Sequence, residues 1–352
     1  MTTNVVQGLS LAALQGRQGE RTLYQALVPN SVLNNFFTVN MDPPTEKSQR
    51  QILPAHVKDI ADYIINNPEE YVLGALIYAV DKECAFTPSE MSSDLGVLTI
   101  PFGTNLRSLD GQHRRAGLND AIAEDEKFGN DHTAILIYVE PDVSKRRQMF
   151  SDMNATPKVV AKALNVSFDN RDPFARAAQR IANEHPLLDG VVERESSRVA
   201  AGSQSWYTLG AVWDALKRLQ VGPSGRARKP SQYAEEAIYE RGYLFFDLLA
   251  KSRPEYEEVR AGADINVMRS RTILFSSTTL RAIAGAVWLN LNDGFVQEDI
   301  PAFMPGLQSI DFRPAAHIWA ATGFVSPGKS TPNARNQEVL AATRKIAELM
   351  TN

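Results

Sequence analysis

The chain has 352 residues and a net charge of -4, from 37 Lys and Arg against 41 Asp and Glu. That length exceeds one ordinary core and predicts two domains, and the charge excludes a histone-like polycation. Any nucleic-acid binding must therefore rest on local basic patches rather than on bulk charge.

The N-terminal stretch MTTNVVQGLSLAALQGRQGERTLYQ lacks the basic start and unbroken apolar run of a signal peptide. The best apolar run, YVLGALIYAV at 71–80, is too short to span a bilayer. A cytoplasmic protein with no membrane partner is expected. RTLYQALVPN (21–30) has strand content ending at a Pro-Asn turn, and QILPAHVKDIADYIINNPEEY has helical spacing, with Val57, Ile60, Ala61, Ile64 and Ile65 on one face and Pro54 in the first turn. YVLGALIYAV reads as a buried strand, GVLTIPF and LRSLD as a short strand pair around Gly103, RRAGLNDAIAEDEKF as a helix, and HTAILIYVEP as another buried strand. DVSKRRQMFSDMNATPKVVAKALNVSFD starts a helix at Asp142 or Ser144, breaks at Asn154 to Pro157, and resumes from Lys158.

This alternation predicts an α/β module with a mixed sheet over residues 1–170. Residues 171–352 read as a mainly α-helical domain with basic loops, VGPSGRARKPSQ (221–232) being the clearest flexible one. Phe174, Trp206, Tyr207, Trp213, Trp288 and Trp319 lie among apolar neighbours at helical spacing and read as core rather than as base-stacking platforms.

SLDGQHRRAGL (108–118) concentrates polar and basic chemistry at a strand-to-helix turn. Gly111 lets backbone approach a bound group, and the first amides of the helix favour an anion. Arg114 and Arg115 add charge with a geometry suited to phosphate; Gln112 donates and accepts; His113 donates or carries a proton. Asp110 can position an arginine, ligate magnesium or accept a ribose hydroxyl. The plain alternative is an Asp-Gly turn with a capping Asp110 and two solvated arginines, and the residues alone leave both readings open.

DGQHR at 110–114 resembles the signature of the DGQHR-domain family, whose best-known member type, DndB, regulates bacterial DNA phosphorothioate (sulfur) modification clusters. QRQILPAHVKDIADYI upstream and FSDMNATPKVVAKAL downstream are similar to the same family, and the resemblance is sharper in the first half than in the second. It implies a ParB-like, sulfiredoxin-like nucleotide-binding fold. It implies a nucleotide or phosphate site at Gly111, Gln112, His113, Arg114 and Arg115, with Gln49, Arg50, Asn154 and Lys158 converging on the turn. The expected cofactor is ATP with Mg²⁺, without a Walker loop; if hydrolysis occurs, Asp110 and His113 are the catalytic candidates.

The five histidines are dispersed and Cys84 is the single cysteine, so no zinc, haem or iron-sulfur cluster is expected and no protein metal site is assigned. Cys84 follows an acidic stretch without a basic neighbour and reads as an inert thiol. Basic residues gather locally, and the expected DNA contacts are Arg146 and Arg147, then Arg226, Arg228 and Lys229, then Lys329 and Arg335. The expected function is a DNA-binding repressor of a phosphorothioate-modification gene cluster. Its partners would be double-stranded DNA of its own promoter region, DNA sulfur-modification proteins and further copies of itself. The alternatives are an NTPase, with or without DNA nicking, and a non-catalytic scaffold.

Overall fold

A computed structural model describes residues 7–36, 52–155, 161–225, 232–292 and 297–351. The chain divides into two compact units, Met1–Lys158 and Val159–Asn352. The first contains β1 (Gly8–Gln18), β2 (Arg21–Pro29), α1 (Asn30–Phe36), α2 (Pro54–Asn66), β3 (Leu76–Val80), β4 (Ala85–Pro88), β5 (Leu95–Pro101), β6 (Leu106–Asp110), α3 (Gln112–Glu124), β7 (His132–Val139) and α4 (Val143–Ala155). Seven strands form one sheet in the order β4-β5-β1-β2-β7-β3-β6. Only β3 and β7 run parallel; the other neighbours are antiparallel, so the sheet is mixed as expected.

The period-two alternation of the strands sends one set of side chains to each face. Val28, Leu76, Tyr78, Ile135 and Ile137 pack on one face with Ile64 of α2 and Leu118 and Ala121 of α3. Ala79, Leu109 and Tyr138 point the other way and pack with Met149 of α4. The β6 strand lies at a sheet edge, and its last residue, Asp110, leads directly into α3. At the α2–α3 crossing Gly117 replaces a side chain with space: a Cβ there would lie 2.6 Å from Ile60 Cγ2 and 3.0 Å from Val57 O. That close crossing lays the start of α2 beside the start of α3.

Two readings of this unit change. GVLTIPF and LRSLD are strands but not partners: β5 pairs with β1 and β4, while β6 pairs with β3. GVLTIPF is rich in β-forming residues and LRSLD is not, and nothing local specifies which strands they meet. The buried strand read at 71–80 begins only at Leu76, and the chain at Gly74 before it packs against an arginine of the site described below.

The second unit is helical: α5 (Lys162–Phe168), α6 (Pro173–Glu184), α7 (Leu209–Val221), α8 (Glu235–Ser252), α9 (Pro254–Arg260), α10 (Ile265–Arg271) and α11 (Ser277–Asn292). The short α12 (Ile300–Phe303) and α13 (His317–Ala321) and the long α14 (Asn336–Met350) complete it, with a two-strand parallel ribbon of β8 (Val192–Glu193) and β9 (Tyr207–Thr208). Phe174, Trp206, Tyr207 and Trp319 are buried in its core, and Trp213 packs partly buried against it. The helix α5, which the sequence reading groups with residues 1–170, belongs to this second unit. Its Ala163 and Val166 are buried in the helical core, so the division falls before Val159.

Candidate phosphate-binding site

The β6–α3 turn is built by one register irregularity and one left-handed glycine. Ile77 faces Asp110 while Tyr78 faces Ser108, so Leu109 is the extra residue of a bulge that re-aims the strand end. Gly111 then adopts φ +92° as the N-cap of α3, which begins with no side-chain cap. A β-carbon there would lie 2.5 Å from Leu76 Cδ2, so glycine is required for both conformation and space. Asp110 Oδ1 accepts from Gly111 N at 2.7 Å, and Oδ2 accepts from Arg114 Nη2 at 2.6 Å. Arg114 is threaded over two glycines: a Cβ on Gly74 would collide with its Nη1, and one on Gly111 would lie 3.3 Å from its Nη2.

The turn opens into a cleft of about 300 Å³ lined by His56, Ser108 to Arg114, Phe150 and Asn154. Three elements therefore meet: the first turn of α2, the β6–α3 turn and the end of α4. His113 Nε2 accepts from Leu53 N, the residue before α2, at 3.1 Å, which leaves Nδ1 as the nitrogen that carries the proton of the neutral ring. The His56 and His113 rings stand edge to face with centroids 5.0 Å apart. His56 was not singled out in the sequence; its spacing ahead of the apolar face of α2 offers no local signal. Asn154 lines the cleft, with Nδ2 tied back to Phe150 O at 2.7 Å.

Arg115 is not among the cleft residues. Successive helix residues are rotated by about 100°, so while Arg114 faces the cleft, Arg115 turns to the packed side. It is buried near Tyr78, and burial lowers its pKa from the usual arginine value. Arg146 is likewise a structural cation. Its Nη1 donates to Glu140 O at 2.5 Å and Pro141 O at 2.7 Å, clamping the turn from β7 into α4, and the side chain is buried. Arg147, one position on, is exposed. Asp142, not Ser144, caps α4, its Oδ1 accepting from Ser144 N at 2.7 Å and Lys145 N at 3.0 Å. Cys84 is half-buried, and burial pushes its thiol up to about 11, in line with an inert side chain. Gln49, Arg50, Lys158, Arg226, Arg228 and Lys229 lie outside the described residues.

The turn fits a phosphate group by its donor set: an arginine held beside the start of a helix, a protonated His113 nitrogen and two amide side chains, Gln112 and Asn154. Asp110 is the one carboxylate in the lining, and each of its oxygens already accepts a hydrogen bond. Among the described residues no group of three or more His, Cys, Asp or Glu is arranged to hold a metal ion. A magnesium ion arriving with a nucleotide would meet Asp110 alone from this lining.

The helical unit carries a larger cleft, about 730 Å³, whose lining includes Arg253, Glu255, Glu258, Arg271, Asp311, Arg313 and Lys329. Arg253 is committed to Glu255 and to the carbonyls of Leu307 and Ile310, and Arg313 pairs with Asp311 at 2.6 Å. Lys329 and Arg271 are exposed, and neither makes a side-chain ion pair among the described residues. Arg335, 86% exposed, stands at the N-cap of α14 and approaches Glu338 at 3.7 Å. The sequence analysis picks out Lys329 and Arg335 but not Arg271, which lies with Arg269 in the last turn of α10.

Among the described residues no helix is long and apolar enough to cross a membrane. No curated protein and no solved structure is similar enough to the chain to match it. A family model described as DNA-sulfur modification-associated matches residues 11–352, both units and nearly the whole length. The chain therefore belongs to the DndB family of proteins associated with DNA sulfur modification.

Proposed function

We propose that this protein is a DNA-binding repressor of a DNA phosphorothioate-modification gene cluster, and that its DGQHR cleft binds a phosphate group, most simply that of a nucleotide. The observation that carries the reading is the convergence of α2, the β6–α3 turn and α4 on one cleft with Arg114, His113 and the uncapped start of α3 in its wall. Arg114 is poised for such a ligand because Asp110 holds it in place and the exposed Asp110–Arg114 pair is weak enough to be exchanged. The site favours binding over hydrolysis. The Nε2 of His113 is occupied by a backbone amide, so it is a poor general base, and its role is to donate and to tie α2 to α3. DNA backbone contacts are assigned to the exposed cations of the helical unit, Arg271, Lys329 and Arg335.

Binding of the full chain to duplex DNA from the upstream region of its own cluster, compared with a shuffled duplex, tests the reading. The expected result is a specificity ratio of about 10³ or more and a steep fall of affinity with salt. Equal affinity for both duplexes would reject the repressor. ATP should bind to the wild type and fail to bind to Arg114→Ala; equal binding by both would reject the cleft.

A further inference from the structure

We infer that the helical unit holds a second anion site: the cavity where α5, α7 and α11 begin takes a tetrahedral oxyanion, free or as the phosphate of a small molecule. The cavity measures about 180 Å³, and its wall includes Lys162, Thr208, Gly210, Asp214, Ser277 and Arg281. These residues lie outside the DGQHR cleft and outside the larger basic cleft, and nothing in the proposed repressor mechanism uses them.

The charges do not balance. Asp214 accepts from Lys162 Nζ at 2.8 Å. Arg281 donates to Thr278 Oγ1 at 3.2 Å, a neutral partner. Behind them Arg218, 8% exposed, has Arg281 and Asp214 as its charged neighbours, and burial followed by repulsion from Arg281 lowers its pKa. The Nε atoms of both Arg218 and Arg281 are buried with no hydrogen-bond partner among the described residues. Two cations, Lys162 and Arg281, thus line the cavity against one carboxylate, Asp214, and Arg218 adds a third positive charge just outside the lining. Lys217 and Asp172 near Trp213 add one charge of each sign and leave the sum unchanged.

Buried arginines are ordinarily matched by carboxylates or carbonyls, because an uncompensated buried charge is costly. Arg253 in this same unit is matched in that way, by Glu255 and two carbonyls. Here the compensation has to come from elsewhere, and the chain's geometry points to an anion. Gly210 packs the start of α7 against α5, where a β-carbon would lie 3.3 Å from Lys162 Cγ, and the α5 start has no side-chain cap. The first turns of α7 and α11 border the same small volume as the cationic side chains, with Thr208 Oγ1 capping α7 by accepting from Ala211 N at 3.1 Å. A cavity of this size admits a single tetrahedral group and its attached atoms, not a duplex.

The test uses the full chain and titration calorimetry with inorganic phosphate at constant ionic strength, sodium chloride serving as the reference. Arg281→Met and Lys162→Met remove one cation each and are made in an Arg114→Met chain, in which the DGQHR cleft no longer contributes phosphate binding. Phosphate should bind the Arg114→Met chain, and bind it at least about tenfold more weakly once either second substitution is added. Should Arg281→Met fail to fold by circular dichroism, the half-exposed Lys162→Met carries the comparison alone. Repeating the titration with ATP separates the sources: heat sensitive to Lys162→Met marks a phosphorylated small molecule, and its restriction to inorganic phosphate marks the free ion. No phosphate-specific heat in the Arg114→Met chain, or heat there that adding Lys162→Met leaves untouched, overturns the inference. Duplex DNA binding lost with Lys162→Met and unaccompanied by phosphate binding would also overturn it.

Discussion

Two glycines frame the guanidinium of Arg114, and they separate stability from binding. At Gly111 an alanine must adopt φ near +92° and place its Cβ 2.5 Å from Leu76 Cδ2. The left-handed conformation costs roughly 1–2 kcal/mol for a residue with a β-carbon. Overpacking against Leu76, which is 1% exposed and belongs to the sheet core, adds about 1–3 kcal/mol. Gly111→Ala should therefore destabilise the first unit by about 2–5 kcal/mol, since the two effects act on different degrees of freedom. At Gly74, which is exposed and has no positive φ, alanine strains nothing in the backbone, and its Cβ meets only the mobile end of Arg114. Gly74→Ala costs at most the exposed Asp110–Arg114 pair, about 0–1 kcal/mol. It nevertheless displaces the arginine that the bound phosphate needs, and losing a charged hydrogen bond of about 1.5–3 kcal/mol weakens nucleotide binding roughly 10- to 100-fold. Urea unfolding and ATP titration of both variants decide the matter. A Gly111→Ala protein within about 0.5 kcal/mol of wild type, or a Gly74→Ala protein that binds ATP like wild type, would refute this account of the turn.

Further expectations follow from individual side chains. Arg146→Ala removes the donor to Glu140 O and Pro141 O and should cost about 2–4 kcal/mol, whereas Arg147→Ala should stay within about 0.5 kcal/mol; equal losses in urea titrations would contradict the clamp. Burial lowers the pKa of His185 below its usual 6.5, so the unfolded chain binds its proton first and stability falls as pH drops below about 6.5 toward the folded value. His185→Leu should flatten that slope below about pH 6.5, and an unchanged slope would show that other groups produce it. Lys329→Ala and Arg271→Ala should each reduce the slope of log affinity for DNA against log salt by about 1 while leaving sequence preference unchanged. A loss of specificity in either variant would mean that the residue reads bases.

The architecture was legible where a local pattern decides it. The mainly helical reading of residues 171–352 agrees with the helices observed there, and Pro54 marks the start of α2. The strand-to-helix turn at DGQHR was legible from a glycine between a strand pattern and a helix pattern, and Gly111 takes the left-handed cap. Three features were not legible, each for a stated reason. His56 reaches the site only through the α2–α3 crossing at Gly117, more than fifty positions from its own place in the chain. Arg115 and Arg146 look like their solvated neighbours in sequence, and only helix phase and the backbone carbonyls within reach distinguish them. The unit boundary carries no compositional mark, because Ala163 and Val166 declare their allegiance by packing and not by type.

The central claim joins the DGQHR cleft to DNA regulation, and one measurement tests it most directly. The affinity of the full chain for duplex DNA upstream of its own modification cluster is measured with and without ATP, for the wild type and for Gly74→Ala. The account predicts sequence-specific binding that ATP changes in the wild type by about fivefold or more, and specific binding that ATP leaves unchanged in Gly74→Ala. Wild-type binding that is indifferent to ATP, or equal for shuffled DNA, would contradict it.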